Sequence, residues 1–172
     1  MQDAIKVPKA RIAVIIGEKG KIKRDIQEKT NTIITIDSKE GDATIDGDDG
    51  LNVLLAKNII QAIARGFNPE IAMRLLEEDM CFEKLELTDF CRNKNDIKRV
   101  KSRVIGTDGK ARRMIESLTN TNIVVFGKTV CIIGGLKESA LARKALISLL
   151  QGSKHGSVYS MVDRERKKKR SS

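Results

Sequence analysis

The chain is 172 residues long and 40% hydrophobic, which is enough for one ordinary domain or two small ones with a real core. Lys and Arg number 33 against 23 Asp and Glu, and the net charge of +10 favours a polyanionic partner, either nucleic acid or an anionic membrane surface. No apolar run reaches the length of a membrane span, and residues Met1 to Ala10 lack the apolar stretch of a secretory signal, so we expect a cytoplasmic protein that does not enter a membrane.

Reactive side chains are few and scattered. The three cysteines form no Cys-x-x-Cys pair and the only histidine is His155, so the spacing of zinc ligands is absent. No nucleophile has an evident general base, and the aspartates between residues 42 and 49 are interpreted as a solvated turn rather than a metal site. The sequence therefore predicts no enzyme, no cofactor and no metal.

The first elements along the chain follow the order β-α-α-β-β-α. A strand is predicted from Ala4 to Val7, and Pro8 suits the start of a helix from Lys9 to Ile16. The remaining predicted elements of this set are a basic helix from Lys21 to Lys29, strands from Thr32 to Ile36 and from Ala43 to Ile45, and a helix from Leu51 to Arg65.

A linker and a second set of the same elements follow. Asn68 is placed to cap a linker helix from Pro69 to about Asp79. The second set comprises a strand from Phe82 to Leu87, helices from Ile97 to Ile105 and Lys110 to Leu118, strands from Asn122 to Phe126 and Thr129 to Ile133, and a helix from Leu136 to Leu150. This pattern predicts a first domain at 1–67, a helical linker at 68–81, a second domain at 82–152 and a basic tail at 153–172.

The two sets are copies of one unit. The segment from Ile15 to Lys21 matches the segment from Val104 to Lys110 at an offset of 89 residues, and the Thr-Asn-Thr segments that start at Thr30 and Thr119 keep the same offset. Each copy places Gly-x-x-Gly between two helices, after an aliphatic pair and before basic residues. A single Gly-x-x-Gly would be interpreted as two turn glycines, but its recurrence in one context favours a functional loop.

The repeated loop is typical of the KH domain, in which it clamps about four nucleotides of backbone. Glycine permits positive φ and close approach, and the loop leads into a helix N-terminus, so main-chain N–H groups can face a phosphate. The spacing of the Walker phosphate loop is missing. The predicted fold class is therefore α+β, with two tandem type I KH domains, each a three-stranded sheet with helices on one face, joined by a helical linker.

The candidate RNA-binding residues are the loops, the cations that follow them and aliphatic residues of the neighbouring strands. They are Gly17, Glu18, Lys19, Gly20, Lys21, Lys23 and Arg24 in the first copy, Gly106, Thr107, Asp108, Gly109, Lys110, Arg112 and Arg113 in the second, and Ile34, Ile36 and Val124 on the strands. Each loop carries one acid, and we expect about three cations per site to outweigh it.

Positive charge is concentrated in the second copy. Residues 1–67 carry 11 basic and 10 acidic side chains, whereas residues 82–152 carry 14 and 7. We therefore expect the second domain and the tail to dominate the affinity for RNA. The basic cluster from Arg164 to Arg170 fits either RNA contact or a disordered, solubilising segment, and the residues leave both open.

Three features of the sequence go beyond a generic KH domain. The third position after the second loop glycine is basic in both copies, at Lys23 and Arg112. The first copy ends in Ala-Arg-Gly-Phe-Asn-Pro at residues 64–69, and residues 152–159 read Gly-Ser-Lys-His-Gly-Ser-Val-Tyr. In these features the chain resembles the archaeal relatives of the partner-of-Nob proteins, also called Dim-two-like proteins, in which a similar string follows the second domain. This string adds Lys154 and His155 to the candidate RNA-binding residues.

The resemblance implies a function in ribosome maturation. It implies that the chain holds the single-stranded 3′ region of small-subunit ribosomal RNA near the site cut by the Nob endonuclease, which would be its protein partner, and we expect a monomer. The alternative is a general single-stranded RNA- or DNA-binding KH protein in RNA turnover or transcription. Whether the first domain grips RNA is left open by its near-neutral charge.

Overall fold

The chain folds into two compact units, Met1–Glu78 and Asp79–Ser172. The structure, a computed structural model, describes the backbone of residues 1–171 and the side chains of residues 1–168. Each unit contains a three-stranded antiparallel sheet and helices in the order β-α-α-β-β-α. The predicted α+β fold class with a duplicated unit is therefore confirmed.

The first unit has its helices on one face of the sheet. The strands are β1 (Gln2–Lys6), β2 (Ile33–Asp37) and β3 (Asp42–Asp46), and the helices are α1 (Lys9–Ile16), α2 (Lys21–Thr30), α3 (Gly50–Ala64) and α4 (Pro69–Met73). The sheet order is β1-β3-β2, so β2 is an edge strand. Side chains alternate along β2, with Ile34 buried between exposed Ile33 and Thr35, as expected for a sheet packed on one side.

The predicted linker helix is shorter than expected and belongs to the first unit. The Asn68 side-chain oxygen accepts a hydrogen bond from the Glu70 N–H at 2.8 Å, so the predicted cap is confirmed. Helix α4 ends at Met73, a 3-10 turn follows at Arg74–Leu76, and the next strand begins at Met80. Acidic residues at positions 77–79 oppose helix continuation because a helix C-terminus is disfavoured by negative charge.

The second unit repeats the arrangement and adds one helix. The strands are β4 (Met80–Glu86), β5 (Asn122–Phe126) and β6 (Thr129–Gly135), and the helices are α5 (Ile97–Ile105), α6 (Lys110–Thr119), α7 (Leu136–Leu150) and α8 (His155–Ser171). The sheet order is β4-β6-β5, so β5 occupies the edge position that β2 has in the first unit.

The segment predicted as a basic tail is helix α8. Val158 and Val162 of this helix are buried in the core of the second unit, and α8 packs against α6 and α7. Apolar residues four apart in an otherwise charged sequence explain why the segment folds onto the domain. The open alternative of a disordered segment is thereby excluded for the described part, while the side chains of Lys169 and Arg170 lie outside the described residues.

The repeated Thr-Asn-Thr segments end α2 and α6 in the same way. Asn31 and Asn120 adopt left-handed conformations with φ of 52° and 55°. The Thr30 hydroxyl donates to the Ile26 carbonyl at 2.6 Å and lies 2.7 Å from the Thr32 hydroxyl, all in a buried position. The Thr119 and Thr121 hydroxyls make the same two contacts in the second copy. The repeated Thr-Asn-Thr sequence therefore corresponds to the same buried, hydrogen-bonded helix end in both copies.

Each closing helix is held by an arginine from the first helix of its own unit. Arg11 donates to the carbonyls of Ile63 and Phe67 at 2.8 and 3.0 Å. Arg103 donates to the equivalent carbonyls, those of Leu149 at 3.2 Å and Ser153. Ile63 and Leu149 lie in the last turn of the closing helices, and Phe67 and Ser153 lie just beyond them, so each arginine links the end of a closing helix to the first helix of its unit.

Candidate nucleic-acid interface

Both Gly-x-x-Gly loops have the same backbone conformation. Gly17 and Gly106 have φ of 75° and 74°, and Gly20 and Gly109 have φ of 76° and 78°. A Cβ atom on Gly17 would lie 2.4 Å from Cγ1 of Ile22, and a Cβ on Gly106 would lie 2.7 Å from Cβ of Ala111. Glycine is therefore required both for the backbone angle and for the close approach of the loop to the following helix.

The two middle residues of each loop are at the surface. Glu18 and Lys19 in the first loop and Thr107 and Asp108 in the second are all exposed. Neither α2 nor α6 has a side chain that caps its N-terminus. The N–H of Lys21 donates to the Glu18 carbonyl and that of Lys110 to the Thr107 carbonyl, so the N–H groups of the next residues in each helix are the ones available beside the loop. This arrangement provides main-chain donors and a helix dipole for an anion at each loop.

The loop acids are not equivalent in the two copies. Asp108 occupies the position of Lys19, and both residues have φ of 54°. Thr107 accordingly matches Glu18. The first loop is therefore neutral in its middle positions, whereas the second loop carries one negative charge that neighbouring cations must outweigh.

Arg24 and Arg113 brace the loops. Arg24 Nη1 donates to the Lys19 carbonyl at 2.6 Å, and Arg113 Nη1 donates to the Asp108 carbonyl at 2.7 Å. Each guanidinium thus holds the left-handed residue of its loop while remaining exposed and charged. The sequence predicted these residues as phosphate contacts, and the structure adds that they position the loop.

Arg112 is not the loop-facing cation that the sequence suggested. Its Nη1 lies 2.6 Å from Oε1 of Glu116 and 3.3 Å from the Ile123 carbonyl oxygen. The charge of Arg112 is therefore paired within the domain and directed at strand β5. The free cation at the start of α6 is Lys110, which is exposed and has no ion-pair partner among residues 1–168; Lys21 is its equivalent in α2.

The strand residues that were predicted to contact bases differ in their burial and in the face of the sheet to which they point. Ile34 is only 1% exposed, so its side chain belongs to the core and the prediction that it contacts bases is wrong. The reason is the alternation of side chains along a strand, which the sequence argument did not apply to β2. Ile36 and Val124 are partly exposed. Val124 is equivalent to Thr35, so in its own sheet it points to the face opposite to the one that Ile34 and Ile36 occupy in the first unit.

A cavity of about 710 Å³ lies beside the second loop. His155 and Tyr159 line it with their rings 6.2 Å apart in an edge-on arrangement, together with Arg99, Arg103 and Lys110. The ring nitrogen Nε2 of His155 donates to the Arg103 carbonyl at 2.9 Å, since a carbonyl oxygen only accepts.

The cavity combines aromatic and cationic side chains. Burial raises the pKa of Tyr159, which disfavours the charged phenolate in this cavity. Lys154, the other candidate of the tail string, is exposed at the start of α8. The sequence reasoning missed Arg99, Arg103 and Tyr159, although the four cations of α5 and the four-residue spacing from His155 to Tyr159 carried the signal.

The two units differ strongly in charge. Residues 1–78 carry 12 basic and 13 acidic side chains, whereas residues 79–172 carry 21 and 10.

Among the described residues, no group of three His, Cys, Asp or Glu side chains is placed to hold a metal ion. No helix in the described part of the chain is long and apolar enough to cross a membrane.

The fold and the twin loops define the chain as a protein of two type I KH domains. Residues 2–62 match the model of the KH domain, and residues 81–167 match that of a eukaryotic type KH-domain (KH-domain type I). The second match extends into α8, which agrees with the packing of this helix on the domain.

Similar proteins identify the family. The KH domain-containing protein MJ0443 of Methanocaldococcus jannaschii is 41% identical over 96% of this chain and 74% of that protein. The crystal structure of Dim2p from Pyrococcus horikoshii OT3 is 42% identical with a TM-score of 0.88, covering 95% of this chain and 99% of that one. The chain belongs to the Dim2/PNO1-like family of archaeal KH-domain proteins, which are RNA-binding proteins of ribosome biogenesis and rRNA processing rather than enzymes.

Two further comparisons bear on the ligand. A crystal structure of an a/eIF2alpha-aDim2p-rRNA complex from Pyrococcus horikoshii OT3 contains a chain 42% identical to this one, with a TM-score of 0.90 and coverage of 98% of this chain and 95% of that one. The pre-rRNA-processing protein PNO1 of Debaryomyces hansenii is 35% identical over 59% of this chain. That match spans 41% of PNO1, so the eukaryotic protein is considerably longer than the shared region.

Proposed function

We propose that this protein holds the single-stranded 3′ region of small-subunit ribosomal RNA during ribosome maturation. The observation that carries the proposal is the pair of exposed Gly-x-x-Gly loops, each held with positive φ at the uncapped N-terminus of a helix. Such a loop offers main-chain N–H groups to a phosphate without a side chain in the way. The rRNA in the solved complex of the Pyrococcus horikoshii relative supports ribosomal RNA as the ligand.

In this proposal the second domain supplies most of the affinity for RNA. Residues 79–172 carry the excess of positive charge, and neutralisation of phosphates contributes much of the affinity of proteins for nucleic acid. The cavity beside the second loop adds His155 and Tyr159 to the cations of α5 and α6. An unpaired base can enter such a site because aromatic faces stack on bases while the cations meet the adjoining phosphates.

The first domain contributes a weaker contact. Its loop has the same geometry as the second loop, and Lys21, Lys23 and Arg24 follow it. Residues 1–78 have no excess of positive charge, so the long-range attraction of a polyanion to this unit is small. We therefore propose that the first loop extends the bound strand rather than capturing it.

The proposed protein partner is a Nob-type endonuclease. The family resemblance implies that the RNA is cut by a separate nuclease of the Nob type, and a protein that holds the RNA near the cleavage site would meet that nuclease there. Co-purification of the two proteins with and without the RNA tests this part. Loss of the association on ribonuclease treatment would show that they share an RNA rather than a protein interface.

Conversion of the second loop to Gly-Asp-Asp-Gly tests the contact mode. The substitution Thr107→Asp keeps Asp108 and should abolish most of the affinity for a single-stranded oligonucleotide of the rRNA 3′ end, because two carboxylates then face the phosphate. Thr88→Asp is the matched control, since Thr88 is exposed on the same unit in a turn between β4 and α5. Equal affinities of the two variants would refute the loop as the RNA contact.

The target of the protein is tested separately by crosslinking in cells. Enrichment of the 3′ region of small-subunit ribosomal RNA is the expected result. Crosslinks spread over messenger RNA or DNA would instead identify a general single-strand binder and overturn the ribosomal assignment while leaving the loop contact intact.

A further inference from the structure

The free edge of strand β5 is occupied by side chains of its own domain. In an antiparallel pair, alternate residues of an edge strand point their N–H and C=O groups away from the neighbouring strand. Ile123 is such a residue: its N–H donates to Oε2 of Glu116 at 2.8 Å, and its carbonyl accepts from Nη1 of Arg112 at 3.3 Å. Both polar groups of this edge position are therefore satisfied without RNA.

Arg112 and Glu116 act together at this edge. They lie one turn apart on α6 and are joined by an ion pair of 2.6 Å. Their side chains are only 30% and 20% exposed, so the pair is partly withdrawn from water. Release of either partner would leave a charge in a half-buried place, which opposes spontaneous opening of the pair.

The pair presents the same pattern of groups as the edge of a nucleobase. A base edge offers an acceptor next to a donor, for example N7 and the N6 amino group of adenine. Glu116 supplies the acceptor and Arg112 the donor that a base would need to bind Ile123 through its backbone. A base in single-stranded RNA cannot use this edge while the pair is in place.

The first domain differs at the equivalent positions. Lys23, Gln27 and Ile34 stand at the same offset of 89 residues from Arg112, Glu116 and Ile123. Gln27 Oε1 accepts from the Ile34 N–H at 2.8 Å, but within residues 1–168 no side chain donates to the Ile34 carbonyl. The full double cap is thus a property of the second domain, in the part of the chain that the structure describes.

We propose that the Arg112–Glu116 pair closes the β5 edge to bases. The second domain then binds RNA through the RNA backbone and does not discriminate among bases at Ile123. The inference rests on the proposed RNA-binding function and deepens it. It predicts that the second domain accepts different bases at this position. The pair also keeps the edge strand from pairing with another chain.

Two substitutions of Glu116 distinguish the effect of opening the β5 edge from the effect of losing the negative charge. Glu116→Gln removes the charge but keeps an oxygen that can cap the Ile123 N–H, as Gln27 caps Ile34 in the first domain. Glu116→Ala removes the same charge and also the cap. Both variants should bind single-stranded RNA somewhat more tightly than the wild type because one acid is lost from the site.

Base discrimination is the distinguishing result. Affinities of the full chain are measured for single strands that differ in one base at each successive position. We expect the wild type and Glu116→Gln to bind all bases within about threefold at the position facing β5, and Glu116→Ala to show a spread of about tenfold there, the size of one good base-edge contact. Any base preference of the first domain is common to all three proteins.

Amide hydrogen exchange at Ile123 gives a readout that needs no RNA. The amide should be protected in the wild type and in Glu116→Gln, and should exchange faster in Glu116→Ala while the buried amides of β6 stay protected. The inference is overturned if Glu116→Ala and Glu116→Gln have equal base spreads, or if Ile123 exchanges equally in all three proteins. Failure of the proposed function would appear differently, as no RNA binding by the wild type.

Discussion

The salt dependence of RNA binding distinguishes the free cation Lys110 from the paired cation Arg112. Lys110 is exposed at the N-terminus of α6, next to the second loop, whereas Arg112 is bonded to Glu116. Each phosphate that a protein neutralises on a single strand contributes about −0.7 to the slope of log K against log salt. Lys110→Gln should therefore make the slope less negative by about 0.7, and Arg112→Gln should leave it nearly unchanged.

The same relation gives the loss of affinity. At about 0.1 M salt, one lost phosphate contact weakens binding by about fivefold, which is the 0.7 power of the tenfold dilution from a 1 M reference. The assay is fluorescence anisotropy of a labelled oligonucleotide titrated with protein at a series of KCl concentrations. Lys21→Gln, the equivalent change in the first domain, serves as the matched control and should have the smaller effect.

Two results would refute this reasoning. Equal changes of slope for Lys110→Gln and Arg112→Gln would show that the ion pair with Glu116 does not hold Arg112 away from the phosphates. A larger change for Lys21→Gln than for Lys110→Gln would show that the first domain, not the second, carries the main grip.

Three predictions concern the fold that supports the second site. Thr119→Val should lower the free energy of unfolding by about 1–3 kcal/mol, because it leaves the buried Thr121 hydroxyl without its partner at 2.8 Å; urea denaturation measures this. Val162→Ala should cost about 2 kcal/mol by removing two buried carbons that dock α8. Hydrogen bonds from Arg99 and from the Arg92 N–H hold the pKa of Asp96 far below its usual 3.8. A carboxyl with a lowered folded pKa stabilises the fold above that usual value, so Asp96→Asn should destabilise the protein at pH 7, and the difference should shrink as the pH falls below 3.8 toward the folded pKa.

Two exposed positions of the second unit serve as controls for the two buried substitutions. Thr88→Val and Ser160→Ala alter exposed positions and should leave the unfolding free energy within about 0.5 kcal/mol of the wild type. An unchanged stability of Val162→Ala would mean that α8 is not packed on the domain. A cost of Asp96→Asn that persists undiminished in acid would mean that the carboxylate charge is not what stabilises the turn before α5.

The sequence was sufficient for the elements of the duplicated unit. Helices from Lys9 to Ile16, Ile97 to Ile105 and Leu136 to Leu150 begin and end where the pattern predicted. Two independent copies made this possible, because a local signal that is weak once becomes strong when the same glycines, aliphatic pairs and basic residues recur in one order. The loop geometry followed because only glycine fits the angles and the close approach found at Gly17 and Gly106.

Other features depend on contacts between distant residues. The partners of Arg112 include Ile123, eleven positions away on another element, and charge counting alone assigned this guanidinium to the phosphates. The docking of α8 depends on two valines within a segment dominated by charge. Ile34 could have been placed correctly, since the alternation along β2 was readable, but the aliphatic character of the residue was given more weight than its face.

The most direct test of the central claim is an NMR titration of the full chain with a single-stranded oligonucleotide from the 3′ end of small-subunit ribosomal RNA. The account predicts the largest amide shifts at the second loop, from Gly106 to Lys110, with smaller shifts at the first loop, from Gly17 to Lys21. Shifts that leave both loops unchanged and cluster on other surfaces would contradict the claim that the glycine loops bind the RNA backbone.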